Sequence, residues 1–378
     1  MVDLKAVIRE LALEMGFDIV GVASADEFHD EEVAAVNRIR QGLMDGLPWF
    51  TEERVRRASN IHGLLPGAQS IISVGISYMV KDDDLEGPEG RPIGRIARYA
   101  RGKDYHKFMK SRLQEMVLIL SDRISRHVRG RIFVDDGPML DRAAAVRGGL
   151  GWYGKNTNIL SSSHGSWILL GEIITDLELE PDRRVLKSCG TCNICIEACP
   201  TQAIIAPYVL DNTRCISYLT IENRGVIPLE FRSHMSDWVF GCDICQEVCP
   251  VNLKASHSRE VSFYGDNRSV AIVDLIELLG MTENDFHSRF AGTPVMRAKR
   301  VGMQRNACVA LGNLGDVVAV PALIRILDKG DLMVRQHAAW ALGAIGGSDA
   351  MAALRGAMLE QTVPEVLGEV SSAISING

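Results

Sequence analysis

No run of eighteen apolar residues occurs in the sequence, which excludes a single apolar helix spanning a bilayer. The N-terminus, MVDLKAVIRELALEMGF, lacks a basic n-region followed by an apolar h-region. Acidic residues and helical periodicity stand there instead, so a cytoplasmic protein without a membrane partner is predicted. Positive charge is not in excess either: 41 Lys and Arg against 48 Asp and Glu leave a net charge of −7. That argues against coating nucleic acid by bulk electrostatics, though a local basic patch stays compatible with it. What the chain does have is length and apolar content. With 378 residues, 47% of them hydrophobic, it can build two or three domains with buried cores.

Nine cysteines in a reducing compartment are not expected to pair as disulfides, so their spacing needs a metal, catalysis or chance to explain it. Cys189-Gly-Thr-Cys192-Asn-Ile-Cys195-Ile-Glu-Ala-Cys199-Pro is a complete bacterial-ferredoxin run, C-x2-C-x2-C-x3-C-P. Cys242-Asp-Ile-Cys245-Gln-Glu-Val-Cys249-Pro is the same run without its leading cysteine. Cys215 can supply the missing thiolate by loop closure. Because the fourth cysteine of such a run serves the other cluster, two [4Fe–4S] clusters are predicted. One takes Cys189, Cys192, Cys195 and Cys249; the other takes Cys242, Cys245, Cys215 and Cys199. Paired C-x2-C also builds zinc sites, but a zinc ribbon has no use for the third and fourth cysteines or for either Cys-Pro. Cys308, on an apolar helix face, reads as a small core residue.

Three segments follow from the patterning. Residues 1–180 alternate helical and strand periods: Leu4 to Met15 reads as a helix, while Asp18 to Ala23, Ser70 to Ser77, Gly130 to Asp135 and Trp167 to Ile174 read as strands of an α/β domain. Residues 181–262 form the ferredoxin-like segment. Residues 263–378 carry an internal repeat of about thirty residues, in which Ala307, Ala310, Leu311-Gly312 and Gly315 realign with Ala338, Ala341, Leu342-Gly343 and Gly346. Each unit continues into a second helix, as short HEAT-type repeats do, and such a tail is expected to bind a macromolecule.

Other patterns are ambiguous. Gly149-Leu-Gly-Trp-Tyr-Gly154 matches a dinucleotide glycine motif, yet it follows a helical rather than a strand pattern, and Asn156 stands where a P-loop needs a hydroxyl. Asp135-Asp136-Gly137-Pro138 is either an ordinary strand-ending turn or a carboxyl at the ligand-binding edge of a sheet. Arg98 to His106 suits a solvated helix entry or a pocket lip. Arg297, Lys299, Arg300 and Arg305 form a basic cluster at the repeat entry, readable as structural arginines or as a nucleic-acid contact.

Together these blocks resemble the epoxyqueuosine reductase family over essentially the whole chain. The residues that carry the resemblance are Arg98-Tyr-Ala-Arg-Gly-Lys-Asp-Tyr-His, Val134-Asp-Asp-Gly-Pro-Met-Leu-Asp-Arg-Ala, Gly151-Trp-Tyr-Gly-Lys-Asn-Thr-Asn, Leu170-Gly-Glu-Ile-Ile-Thr-Asp and Cys215-Ile-Ser-Tyr-Leu-Thr-Ile-Glu-Asn-Arg-Gly, with both cysteine runs. The resemblance implies a reductive-dehalogenase-like cobalamin domain, a ferredoxin-like domain and a HEAT-bearing tail. It implies reduction of epoxyqueuosine to queuosine at the tRNA wobble position, with electrons passing from the clusters to a cobalamin bound base-off. The sequence has no Asp-x-His-x-x-Gly to supply a histidine ligand, which fits base-off binding. Asp135 would be the proton donor, with Asp136 pointed oppositely by strand alternation. Corrin contacts would come from Arg57, Arg98, Tyr105, His106, Asp135, Gly154, Lys155, Asn156, Asn158, Ser217, Leu219, Cys242 and Asp243. The tRNA would meet Arg224, Arg297, Lys299, Arg300 and Arg305. A flavodoxin- or ferredoxin-type donor and a monomer are the remaining expectations.

Overall fold

Ser70-Ile-Ile-Ser-Val-Gly-Ile-Ser has no charged side chain, and a strand without a polar face needs cover on both sides. In the computed structural model, which describes residues 3–80, 89–264 and 271–376, it receives that cover. Strand β1 (Ile19–Ser24), β2 (Ser70–Ser77), β4 (Gly130–Phe133) and β5 (Ile168–Thr175) form one sheet in the order β1-β2-β5-β4, and every residue of β2 is buried. On one face Ile72, Val74 and Ile173 pack under helices α1 (Leu4–Glu14) and α2 (Tyr105–Arg123) through Ile8, Leu11, Met109, Leu113 and Met116. On the other face Ile71, Ile174 and Phe133 meet Ala143 and Ala144 of α3 (Asp141–Arg147). The predicted helix and strands are thus present within a residue or two of their expected ends.

Every pairing in this sheet is antiparallel. The rule that places ligands at the carboxyl edge belongs to parallel sheets, so it is not what positions Asp135. Strand β4 also ends at Phe133, two residues before Asp135. The alternation argument for Asp135 and Asp136 therefore does not apply, and the loop geometry decides instead.

A second, three-stranded sheet draws one strand from each predicted segment. Strand β3 (Ile93–Ile96) pairs in parallel with β6 (Trp238–Phe240) and antiparallel with β7 (Ile272–Asp274). Helix α4 (Ile216–Ile221), which follows Cys215, packs beside it through Ile216 and Leu219 against Ala97 and Trp238.

The tail is a stack of helices, α5 (Lys299–Leu314), α6 (Val320–Lys329), α7 (Leu332–Ile345), α8 (Ser348–Glu360) and α9 (Pro364–Ile376), sharing one apolar core with β3, β6 and β7. The repeated glycines explain the period. A Cβ at Gly312 would stand 2.5 Å from the Trp340 ring, and one at Gly343 would stand 2.7 Å from the Ala373 Cβ. Each is the point where the next first helix crosses. Gly315 and Gly346, at φ 68° and 69°, end α5 and α7 in the left-handed region. Cys308 lies fully buried in this core, as expected.

Candidate active site

The two cysteine runs fold alike. In each, a single helical turn (Ile194–Glu197 and Ile244–Glu247) joins the C-x2-C pair to the next cysteine. Its end is closed by Ala198 N–H to Ile194 O at 2.9 Å in one run and by Val248 N–H to Ile244 O at 3.2 Å in the other. The two turns pack against each other, which brings the fourth cysteine of each run toward the opposite group. Cys189, Cys192, Cys195 and Cys249 line one small cavity. Burial raises the Cys195 thiol, and the thiolates of Cys189, Cys249 and Cys192 raise it further. A second group is centred on Cys245, which burial raises first, followed by Cys215 and Cys199. Cys242 is raised by burial and then by Cys215 and Cys245.

Four thiols crowded together resist ionising together, and a cationic iron–sulfur centre among them removes that conflict. The donor set therefore fits clusters. Cys195 also lies within electrostatic reach of Cys245, so the two groups adjoin.

Asp135 lies in the loop between β4 and α3 at φ 54°, a left-handed conformation that Asp and Asn tolerate better than other side chains. The Tyr105 hydroxyl donates to Asp135 Oδ2 at 2.8 Å, and the Asp135 N–H donates to Asp141 Oδ1 at 3.3 Å. Arg54 donates to Gly137 O at 2.8 Å and pins the same loop from outside. Asp136 turns away to pair with Lys110. Asp104, the N-cap of α2, meets His106 Nδ1 at 2.6 Å, and the His106 ring stacks on Tyr105 at 4.2 Å. Burial opposes protonation of His106, but the Asp104 hydrogen bond and the charges of Asp104, Asp135 and Asp136 outweigh it and raise its pKa. Half-buried Tyr99 links this corner to the thiols. Its hydroxyl pKa is raised by burial first, then by Asp135 and by Asp243, which adjoins Cys242.

Several predicted contacts lie elsewhere. Arg98 is a buried tie rather than a lip residue: its N–H donates to Asp243 Oδ2 at 2.8 Å, its Nη1 to Glu247 Oε1 at 2.8 Å and its Nε to Val80 O at 3.2 Å. Its guanidinium holds the second cysteine run onto the α/β core by pairing with Asp243 at 3.3 Å and Glu247 at 2.8 Å. Gly154, Lys155 and Asn156 line the cavity of the first thiol group. Lys155 Nζ donates to Asn193 Oδ1 at 2.8 Å, and Asn156 Nδ2 donates to Cys245 O at 3.3 Å. The Asn158 N–H closes the same loop onto Asn156 Oδ1. The Leu219 side chain is core, not pocket. Ser217 is half-buried on α4, and Arg57 is exposed on the helix Glu52–Ser59.

The basic cluster divides. Arg297 remains at the surface, over the Trp49 ring at 5.0 Å and paired with Glu222. That pair raises the Arg297 pKa, against the lowering effect of burial. Lys299 and Arg224 are exposed, while Arg300 is held by Glu283 and Asp331 at 2.9 Å each.

Arg305 is the clear correction. It is 1% exposed, and its guanidinium donates to the carbonyls of Leu219, Asn223 and Gly225 and to Asn306 Oδ1. Three carbonyls turned inward outbid any phosphate for that group. Arg305→Ala is expected to lower stability by roughly 3 kcal/mol or more, since it leaves those acceptors unpaired. A urea midpoint would show the loss, and the salt dependence of RNA binding would not.

Arg54, Asp141, Glu172, Glu222 and Trp49 escaped the sequence reading: Arg54 and Glu222 meet partners 83 and 75 residues away, Trp49 lies under the distant Arg297, and Asp141 and Glu172 matter through the packing of a helix on the sheet. Arg54 with its Gly137 partner is one such case.

The comparisons agree with this geometry. A family model described as 4Fe-4S double cluster binding domain matches residues 188–252, one described as Epoxyqueuosine reductase QueG, DUF1730 matches residues 58–136, and one for HEAT repeats matches residues 296–375. An epoxyqueuosine reductase of Xanthomonas campestris pv. campestris is 40% identical over 351 residues, which cover 91% of this chain and 97% of that protein. Two solved structures are similar over 99% of this chain. One, a selenomethionine-labelled epoxyqueuosine reductase, has a TM-score of 0.92 at 30% identity over 99% of its chain. The other, an epoxyqueuosine reductase with an epoxyqueuosine-modified tRNA-Tyr stem loop, has 0.90 at 30% identity over 98% of its chain. With its double thiol group, its Asp135 loop and its repeat tail each matched along nearly the full length, this chain belongs to the epoxyqueuosine reductase family.

Proposed function

We propose that this chain reduces epoxyqueuosine to queuosine in tRNA, with Asp135 as the acid. The observation that carries the reading is the position of Tyr99, whose ring stands edge-on at 6.5 Å to Tyr105, the partner of Asp135, and which directly follows Arg98, the partner of Asp243. A redox group seated there would have the proton donor on one side and the second thiol group on the other. Two electrons and two protons convert the epoxide into a carbon–carbon double bond and water. Cobalamin is the group the family resemblance calls for, and when bound it supplies electrons to the substrate carbon. Its corrin would rest against Tyr105, His106, Ser217 and the Cys242-Asp243 segment, with Arg57 at the margin. Two [4Fe–4S] clusters on the partition given above would feed it from an external low-potential protein donor.

Each protein side chain then has a task. Tyr105 holds the Asp135 carboxyl at 2.8 Å, and Arg54 holds the loop. His106, whose protonation Asp104 favours against the effect of burial, would in its protonated form stabilise a nearby anion such as the oxygen released from the epoxide. Lys299, Arg297 and Arg224 are the cations left to position tRNA phosphates, in a chain proposed to act as a cytoplasmic monomer.

Protein reconstituted anaerobically with iron, sulfide and cobalamin, then given a chemical reductant, should convert epoxyqueuosine in tRNA to queuosine by nucleoside mass spectrometry. A fully loaded protein that leaves epoxyqueuosine untouched would refute the reading. Exchanging Arg297 and Lys299 for Ala should weaken tRNA binding and reduce the slope of log K against log salt by about 1 to 2, as expected for one phosphate contact per cation.

A further inference from the structure

The proposed reaction consumes two protons, because the epoxide oxygen leaves as water, whereas Asp135 carries one at a time. The second must reach it while a tRNA covers the approach. Behind the Asp135 loop the sheet holds an unusual group. Glu172 sits in the middle of β5, opposite Ser73 of β2 on one side and Phe133 of β4 on the other, on the face covered by α3. It is 0% exposed, and neither of its carboxyl oxygens meets a hydrogen-bond donor; the Ser73 hydroxyl beside it is unpartnered too. Its neighbours Ile173 and Ile174 show what packing alone selects at this depth.

The other acid facing Glu172 is Asp141, at the start of α3. Two ionised carboxylates offer only acceptors, so these two can hydrogen-bond only when one holds a proton. Asp141 Oδ1 in turn accepts the backbone N–H of Asp135 at 3.3 Å, so the Asp141 carboxyl sits at the base of the loop that carries the Asp135 side chain. Burial, then the Asp141 charge, raises the Glu172 pKa well above the usual carboxylate range. Burial also raises Asp141, against the lowering effect of the Glu172 hydrogen bond.

Resting on the activity proposed above, we infer that Glu172 is the proton reserve that reloads Asp135 through Asp141 within one turnover. Asp135 as the acid protonates the epoxide oxygen as its carbon–oxygen bond breaks, and becomes a carboxylate. Glu172 gives its proton to Asp141, and Asp141 passes one to Asp135. Asp135 then delivers the second proton as the remaining carbon–oxygen bond breaks and water leaves. Both electrons come from the external reductant through the bound redox groups. Between turnovers, with the tRNA released, solvent returns one proton to Asp135 and one, back through Asp141, to Glu172. Glu172 and Asp141 touch no substrate in this scheme; they act through Asp135.

Two measurements test the inference separately. Infrared spectra of the purified chain in H2O and D2O should contain the C=O stretch of a protonated carboxyl, lost in Glu172→Gln, whose fold should be intact because the exchange is isosteric. In single turnovers of the reduced, reconstituted protein on an epoxyqueuosine stem loop, Glu172→Gln should slow reduction about tenfold or more with KM unchanged. Glu172→Asp, which restores an ionisable group, should recover part of the rate. No loss of the infrared band, or a wild-type rate in Glu172→Gln, would overturn the relay while wild-type turnover upholds the activity. Absence of turnover in the wild type would overturn the activity and the relay's task together, and the band would still report whether Glu172 holds a proton.

Discussion

Asp135→Asn is expected to lower turnover by about 10²- to 10⁴-fold, or roughly 3–5 kcal/mol of transition-state stabilisation, the usual worth of a positioned general acid. The substitution is a clean one on physical grounds. Asn tolerates the left-handed backbone at φ 54°, and its amide oxygen can still accept the Tyr105 hydroxyl that now bonds Asp135 Oδ2. It differs from Asp chiefly in having no proton to give. Iron content and tRNA affinity should therefore match the wild type, while queuosine formation, followed by nucleoside mass spectrometry, nearly stops. Asp136→Asn is the control. Asp136 pairs with Lys110 at the surface, and exposed pairs contribute little, so its rate should change by less than about threefold. The reverse ranking of the two variants would move the acid to Asp136.

Cys215→Ser should have the second large effect, the loss of one cluster and of electron delivery. Iron is expected to fall from about eight to about four per chain, since two four-iron clusters become one. Cys215 is also the N-cap of α4, whose Ile216 and Leu219 pack on Ala97 and Trp238. Losing the cluster therefore loosens one anchor of that helix, but the tail keeps its own core around Met303, Leu311 and Leu342. Iron analysis and the visible absorption of the reconstituted variant measure the first effect, and turnover measures the second. A variant that keeps all its iron would show that Cys215 does not complete the second group. Cys308→Ser, by contrast, alters a residue buried in the tail core and should leave iron content unchanged.

How much was legible beforehand depends on how local each signal is. The cysteine runs were readable because one short loop supplies most of each thiol group. The glycines of the tail were readable because every unit meets the same crossing. The basic cluster was read less well. Arg297, Lys299, Arg300 and Arg305 look alike in a row, yet the fold exposes Lys299, pairs Arg297 and Arg300 with carboxylates and buries Arg305 among carbonyls. Arg98 was misplaced for the same reason, since its partners Asp243 and Glu247 lie about 145 and 149 residues onward.

Asp135 shows the division most sharply. The sequence alone determined that an Asp-Asp-Gly-Pro turn ends a strand, that two thiol groups of four exist, and that a helical repeat follows, because each of these is written in neighbouring residues. The family resemblance singled out Asp135, and the tertiary structure supplies the physical difference between the two aspartates. Tyr105 from α2 and Asp141 from α3 hold Asp135, while Lys110 draws Asp136 away. Only the fold, too, decided that Glu172 lies dry beneath that loop. A carboxyl's proton state follows from its solvent and its neighbours, and here the neighbours are set by packing across strands and helices distant in the chain.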